Sequence, residues 1–293
     1  MKKKIPHILV LGATGMLGRV VYAYLKRKYP ETVWGTSRSD KRFFSFEIDD
    51  ISHSLQSITK DTGKIDYIIN CIGLLSSYHD QSRQPDANDF LSVNTFLPLE
   101  LDAHASAFGY KLIHISTDAV FNSSSKIVDE NTPTSPQTIY ALSKEAGETS
   151  GASSLSIRTS IIGFDPIEMK GLIELVRNMH GSINGFSNQL FCGCTVLHYA
   201  QLCHHLIDDE HFARIRKKTK VLHFIPLKPL SKYELLCRIQ EILGLPISIE
   251  KTVAPQAVVR ELTSIFAGEF QIDLYNCDVS QAVRELQTFE STL

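Results

Sequence analysis

The run Ile8-Leu9-Val10-Leu11-Gly12-Ala13-Thr14-Gly15-Met16-Leu17-Gly18 decides the fold. Residues 5–11 (IPHILVL) are short and almost wholly apolar, the composition of a strand buried on both faces. Residues 16–29 (MLGRVVYAYLKRKY) then carry apolar side chains at helical spacing. Between them Gly12, Gly15 and Gly18 make a GxxGxxG loop. Such a loop lets backbone approach a pyrophosphate, while the following helix offers free N–H groups and a partial positive charge. Thr14, Met16 and Leu17 lie in the same turn and join the expected cofactor contacts.

Working outward, TVWGTSR (32–38) and RFFSFEI (42–48) read as the second and third strands, and 52–62 as a helix. DYIINCIG (66–73) is a strand, a helix lies near 86–108, and KLIHIST (111–117) is a strand. Residues 138–149 form a helix and LSIRTSII (155–162) a further strand. Apolar strands alternating with helices predict an α/β fold of Rossmann type, a doubly wound parallel sheet covered on both faces. Past Gly163 the alternation weakens: helix at 170–180, a Gly/Asn-rich stretch at 182–194, helix at 196–208 and a strand in VLHFIPL (221–227). SKYELLCRIQEILG (231–244) is an amphipathic helix with Ser231 as its cap and Gly244 as its stop. The expected division is a Rossmann domain of 1–165 plus about 195–225, and a smaller C-terminal α/β substrate-binding region of 166–194 and 226–293.

A net charge of −2 over 293 residues argues against a nucleic-acid partner, which usually needs a basic field. The start MKKKIPHILVLG has charge followed by apolar residues, but the run is too short for a signal peptide and leads into the glycine loop. With no run of about 18 apolar residues, no membrane span is expected. The cysteines at 71, 192, 194, 203, 237 and 277 read as free thiols of a reducing, cytoplasmic setting. Cys192-Gly-Cys194 has poor zinc spacing and His204-His205 reads as a polar helix face, so no metal is expected.

The second strand ends in Gly35-Thr36-Ser37-Arg38-Ser39, with no acid before Asp40. An acid there would take a ribose 2′-OH, whereas Arg38, helped by Ser37, suits a 2′-phosphate, so NADPH is expected over NADH. Asp49 follows the third strand, placed to accept from an adenine amino group, and Asp50 would do the same or cap the next helix. Asn70-Cys71-Ile72-Gly73 ends a strand at the sheet's carboxyl edge, where ligands bind in such folds, and Gly73 permits close approach. Tyr140 and Lys144 are four apart, about 5–6 Å between Cβ atoms on one helix face. A cation there favours the phenolate and lowers the tyrosine pKa from about 10, which suits a proton donor. Alone the pair reads as two ordinary surface residues; the glycine loop and the Ser116-Thr117-Asp118 step turn it into a site.

GATGMLG, NCIG, VN at 93–94, HISTDAVF at 114–121, YALSK and IRTSIIG at 157–163 together resemble the extended short-chain dehydrogenase/reductase family. Within it the chain resembles the dTDP-4-dehydrorhamnose reductase-like branch, with its hallmark STDYVF…YGxTKLxGE. That hallmark reads here Ser116-Thr117-Asp118-Ala119-Val120-Phe121 and Tyr140-Ala-Leu-Ser-Lys144-Glu-Ala-Gly147-Glu148. The likeness is dense over 8–163 and thinner through 170–206 and near Arg260. It implies Tyr140 as proton donor, Lys144 on the nicotinamide ribose, Thr117 on the substrate carbonyl, and Asn94 as the asparagine near the active site. It further implies that Asp118 orders its loop and that Ser160 lies near the nicotinamide, with Arg158 either beside it or a buried structural arginine.

The activity implied is NADPH-dependent reduction of the 4-keto group of a nucleotide-linked 4-keto-6-deoxy sugar, for surface polysaccharide synthesis. Ala119 and Ile161 replace aromatic residues of the branch and count against the dTDP sugar, while NCIG, RTSIIG and GFSNQLFCGCTVLHYAQL resemble relatives of surface-polysaccharide pathways, which implies a UDP-linked 2-acetamido sugar as the other substrate. Arg260 is the first candidate for the diphosphate, ahead of Lys126 and Lys170, while Asn188, Gly193 and Thr195 are candidates to line the substrate pocket. The resemblance also allows a homodimer. Two rivals share the fold. An epimerase or dehydratase would favour NAD and, for dehydration, acids beside Thr117; Arg38 and Ala119 oppose it. A non-catalytic NADP-binding regulatory subunit would be expected to shed part of the Thr117, Tyr140 and Lys144 set.

Overall fold

The computed structural model of the chain describes residues 4–75, 85–124, 126–166, 169, 171–208, 211–269 and 277–293. In order, the elements are β1 (Ile8–Leu11), α1 (Met16–Lys28), β2 (Val33–Gly35), α2 (Ile51–Thr62), β3 (Tyr67–Asn70), α3 (Ala87–Leu91), a π-helical turn (Ser92–Phe96), α4 (Leu97–Phe108), β4 (Lys111–Ile115), β5 (Ile127–Val128) and α5 (Ile139–Ala146). There follow β6 (Ser154–Arg158), β7 (Ser160–Ile162), α6 (Leu172–Asn178), β8 (Gly181–Phe186), β9 (Leu190–Phe191), β10 (Gly193–Thr195), α7 (Val196–Ile207) and α8 (His211–Arg216). β11 (Val221–His223), β12 (Leu230–Ser231), α9 (Lys232–Leu243), β13 (Ile247–Thr252), β14 (Glu261–Leu262) and α10 (Val279–Glu290) complete the chain.

Two compact units emerge. The first takes the chain up to Ser116, then Thr138–Ile157 and Tyr199–Leu222; the second takes Thr117–Gln137, Arg158–His198 and the chain from His223 onward. The cuts fall at 116, 137, 157, 198 and 222, whereas the sequence suggests 165, about 195 and about 225. Thr117–Gln137 joins the second unit because β5 pairs in parallel with β14, Ile127 opposite Glu261 and Val128 opposite Leu262.

The first unit is built on a six-stranded sheet of order β11-β6-β4-β3-β1-β2. β1 pairs in parallel with both β2 and β3, so the strand order reverses at β1. The carboxyl ends of β1 and β3, Leu11 and Asn70, stand opposite each other, and that crevice is where such sheets bind ligands. Leu9, Leu11, Leu55, Ile58, Ile68, Leu97, Leu101 and Leu112 form the core between one sheet face and helices α2 and α4. Each such buried side chain contributes about 2 kcal/mol. The second unit is assembled from two-stranded ribbons, β10-β7, β12-β9, β13-β8 and β14-β5, with α9 packed on β8 and β13 and α10 packed on α9.

Three expectations need amendment. RFFSFEI forms no strand: a turn at Asp40–Arg42 brings Phe44 beside Thr36 for a single bridge, and Phe46 then turns into the core. The strand at 155–162 is broken at Thr159 into β6 and β7, which pair with different partners. The Gly/Asn-rich 182–194 holds most of β8 and parts of two further ribbons. Helix α9 has the expected ends: Ser231 and Glu234 form a capping box, and Gly244 stops it at φ 61°.

Candidate active site

In the first unit the glycine loop is set by sterics. Gly12 has φ 74°, a conformation that disfavours side chains, and a Cβ on Gly18 would lie 2.0 Å from the Gly12 oxygen. The loop is tied to the end of β2: Gly12 N donates to Thr36 Oγ1 at 3.1 Å, and the Thr14 and Ser37 hydroxyls are 3.2 Å apart. Helix α1 begins at Gly15 with no side chain capping its first turn and no acid in it, so its N–H groups suit an anion. Met16 and Leu17 open that helix.

Arg38 is exposed just beyond this corner. Asp40, the nearest acid, is occupied by Arg42 through its Nε and by a second guanidinium nitrogen at 2.6 Å. Asp49 is exposed, whereas Asp50 caps α2 by accepting from His53 N, the second of the two roles weighed for it. Beyond β3, Asn70 Oδ1 accepts from Ile72 N, which aims its Nδ2 at His114 Nδ1, 3.2 Å away. Burial keeps the His114 ring neutral by pulling its pKa well below the usual value. Cys71 and Gly73 flank Ile72, and a Cβ on Gly73 would lie 3.7 Å from Asn94 Oδ1 and 4.0 Å from Lys144 Nζ.

The helix expected at 86–108 is interrupted by the π turn that carries Asn94, a distortion common at functional sites. The buried Asn94 amide clamps the loop after β3. Its Oδ1 accepts from Leu74 N at 2.8 Å, and its Nδ2 donates to Leu74 O and to Ser143 Oγ. Helix α5 starts at Thr138, whose hydroxyl accepts from Ala141 N, and sets Tyr140 in its first turn and Lys144 one turn on. Tyr140 is half-buried, while Lys144 is 3% exposed and donates to Ile115 O at 2.6 Å. Burial pulls the Lys144 ammonium from 10.5 down to about 8, and the Glu148 carboxylate pulls the other way. Ser116, at the exit of β4, donates to Glu148 Oε1 at 2.7 Å.

In the second unit Thr117 is buried, and its Oγ1 accepts from Ala119 N, opening a short 3-10 turn. Asp118 is a junction: Oδ1 accepts from Ser160 Oγ at 2.6 Å, and Oδ2 accepts from Arg260 Nε and a second Arg260 nitrogen at 2.7 Å. Arg260 also donates to Phe121 O, so its guanidinium, expected on a diphosphate, is committed to ordering the Asp118 loop. Arg158 is buried with its guanidinium 5.0 Å from the Phe121 ring centroid, the structural alternative weighed for it. Asn188 exchanges two hydrogen bonds with the backbone of Ala254, and buried Thr195 accepts from His198 N at the start of α7. Lys126 is exposed, and Lys170 lies outside the described residues.

Lys232 adds a further cation to this unit. This first residue of α9 is partly buried, donates to Gln189 Oε1 at 2.9 Å, and feels both Asp118 and Arg260. The β12-β9 pairing brings it beside Gln189, 43 residues earlier in the chain, so no local motif announces it. Glu148 was visible as the last letter of the hallmark but had no role attached. Among the described residues no group of three or more His, Cys, Asp or Glu could hold a metal ion, and no helix is long and apolar enough to cross a membrane.

Comparison with known proteins agrees with this fold. The mouse methionine adenosyltransferase 2 subunit beta is 27% identical over 262 residues, 86% of this chain and 76% of that protein. A dTDP-4-dehydrorhamnose reductase of Streptomyces griseus is 30% identical over 145 residues, 49% of this chain and 44% of its own. The structure of dTDP-4-dehydrorhamnose reductase from Bacillus anthracis str. Ames in complex with NADP superposes with a TM-score of 0.74 at 17% identity, covering 99% of this chain and 100% of that one. Residues 8–154, half of the chain and the stretch from β1 to the first residue of β6, match the model of one family, and the protein belongs to it: the NAD dependent epimerase/dehydratase family.

Proposed function

We propose that the protein is an NADPH-dependent reductase of the 4-keto group of a nucleotide-linked 4-keto-6-deoxy sugar. The observation that carries this reading is the pairing of Tyr140 with a buried Lys144 on α5 at the carboxyl edge of a glycine-loop sheet. The residues present fit the cofactor: the open first turn of α1 and Gly12 suit its pyrophosphate, and Gly73 allows close approach. Arg38, with Ser37 beside it and Asp40 held by Arg42, suits a 2′-phosphate, and the Bacillus anthracis structure holds NADP. When bound, NADPH supplies the hydride. Tyr140 gives its hydroxyl proton to the carbonyl oxygen as that oxygen becomes an alcohol, and Thr117 hydrogen-bonds the same oxygen. Lys144 holds a positive charge near the tyrosine and the nicotinamide ribose. Lys232 with Gln189 replaces Arg260 as the candidate contact for the substrate's diphosphate.

The test is NADPH oxidation, followed at the nicotinamide absorbance, with dTDP- and UDP-linked 4-keto-6-deoxy sugars, 2-acetamido forms included, and NADH in parallel. Turnover with one of them supports the reading and selects the nucleotide. Tight NADPH binding with no turnover on any refutes it. That result would favour the second reading, a cofactor-binding subunit of another enzyme, which the mouse relative's name brings forward. A stoichiometric protein partner in gentle purification would then be expected.

A further inference from the structure

The hallmark ends in Gly147-Glu148, to which the proposed chemistry assigns nothing. A Cβ on Gly147 would lie 1.9 Å from the Asn94 carbonyl oxygen, so α5 ends pressed against the π turn. Thr149 N, the next backbone donor, is fixed to Ser156 Oγ at 3.0 Å. The chain is thus anchored on both sides of Glu148, whose carboxylate accepts from the buried Ser116 hydroxyl. Ser116 is itself fixed by its N–H to Ile157 O at 2.7 Å.

From these contacts we propose that Glu148, held in place by Ser116, is a positioning residue that supplies the counter-charge of the buried Lys144. The groups around Lys144 leave this task to it. The ammonium's hydrogen bond goes to a neutral carbonyl, Ile115 O. His114 on β4 is neutral, and the loop after β3 brings Gly73 and Cys71, a thiol that burial holds in its neutral form. Tyr140, on its own helix, is neutral in the state that donates a proton. Lys144 and Glu148 meet at the exit of β4, the ammonium on Ile115 O and the carboxylate on the hydroxyl of the next residue, Ser116, and from there the carboxylate favours the charged lysine against burial. The inference rests on the reading that a charged Lys144 serves Tyr140 and the cofactor.

The test reads Lys144 directly, without cofactor or substrate. Lysine-labelled protein is titrated by NMR at the 13Cε resonance of Lys144, identified by its loss in Lys144→Arg. Wild type should titrate near 8. Glu148→Gln, which keeps the shape and the acceptor, should move the midpoint down by about half a pH unit or more, roughly threefold or more in proton affinity. Glu148→Asp should restore most of that shift, and Ser116→Ala should give a smaller shift in the same direction. An unchanged or raised midpoint in Glu148→Gln overturns the proposal, as does an aspartate that restores nothing. Since no ligand is present, these results stand apart from NADPH oxidation, whose failure would count against the reductase reading alone.

Discussion

Replacing Lys144 by Met should leave the ligand-free protein at least as stable at neutral pH and abolish a specific part of its alkaline stabilisation. The ammonium is 3% exposed with one hydrogen bond, to Ile115 O, and its pKa falls from 10.5 to about 8. At about 1.4 kcal/mol per pH unit, holding the charge there costs about 3 kcal/mol. Methionine has similar length and no charge, so it removes that cost but leaves the Ile115 carbonyl short of a donor, a loss of about 1–3 kcal/mol. The net change at pH 7 is a gain of about 0–2 kcal/mol. The pH dependence is sharper. The unfolded chain keeps the lysine proton up to about 10.5, the folded wild type only to about 8. Between these values the unfolded state binds more protons, so wild-type stability rises with pH while the variant gains nothing from this group. Urea unfolding of both proteins from pH 7 to 10.5 cancels every titration they share. The difference should be constant below 8 and then swing by about 3 kcal/mol toward the wild type. A flat difference across the range, or a variant weaker than wild type by more than about 2 kcal/mol at pH 7, would refute the reasoning.

Three further outcomes are expected. Tyr140→Phe should lose about 10²–10⁴-fold in turnover while its NADPH dissociation constant stays unchanged, measured by nicotinamide fluorescence; a matching loss of affinity would remove Tyr140 from the role of acid. Arg38→Ala should weaken NADPH about tenfold or more and leave NADH untouched, since only the former carries the 2′-phosphate; parallel losses would contradict the assignment. Gly147→Ala drives a methyl group to within 1.9 Å of the Asn94 carbonyl and should cost about 1–3 kcal/mol in urea unfolding, whereas a neutral result would mean that the π turn yields freely.

What was legible from the chain was local. The glycine loop, the strand before it, and Tyr140 and Lys144 on one helix face are all set by spacings of a few residues, and the structure has them in those elements. Ser231 and Gly244 bounded α9 for the same reason. The rest depends on what a segment meets elsewhere. RFFSFEI has strand composition, yet the Asp40–Arg42 contacts and burial of Phe46 give it one bridge and no ladder. Arg260 looked like a free cation near a substrate because its partner Asp118 lies 142 residues earlier. Asn188 and Thr195 are polar residues in a promising loop, but their side chains serve the backbone of Ala254 and the first turn of α7. The π turn has no periodic signature in the sequence, because it is a single widened turn inside a continuous helix.

The cost of Lys144 also bears on what the protein is for. A buried ammonium facing a neutral carbonyl is a poor way to hold a helix to a sheet, since an apolar side chain of the same length would do so with less loss. The structure nonetheless surrounds it with fixed parts: Asn94 clamping Leu74 and Ser143, Gly147 under the Asn94 carbonyl, and Glu148 tied to Ser116. An arrangement that sacrifices about 3 kcal/mol is expected where a charge must be delivered to a ligand. A purely structural role for α5 would require none of it. A cofactor-holding role would require Lys144 and the clamp, and a reductase would require Tyr140 as well. Measuring Lys144→Met and Tyr140→Phe side by side therefore orders the three roles. Loss of NADPH affinity in the first variant alone marks a binding site, and loss of turnover in the second at full affinity marks an enzyme.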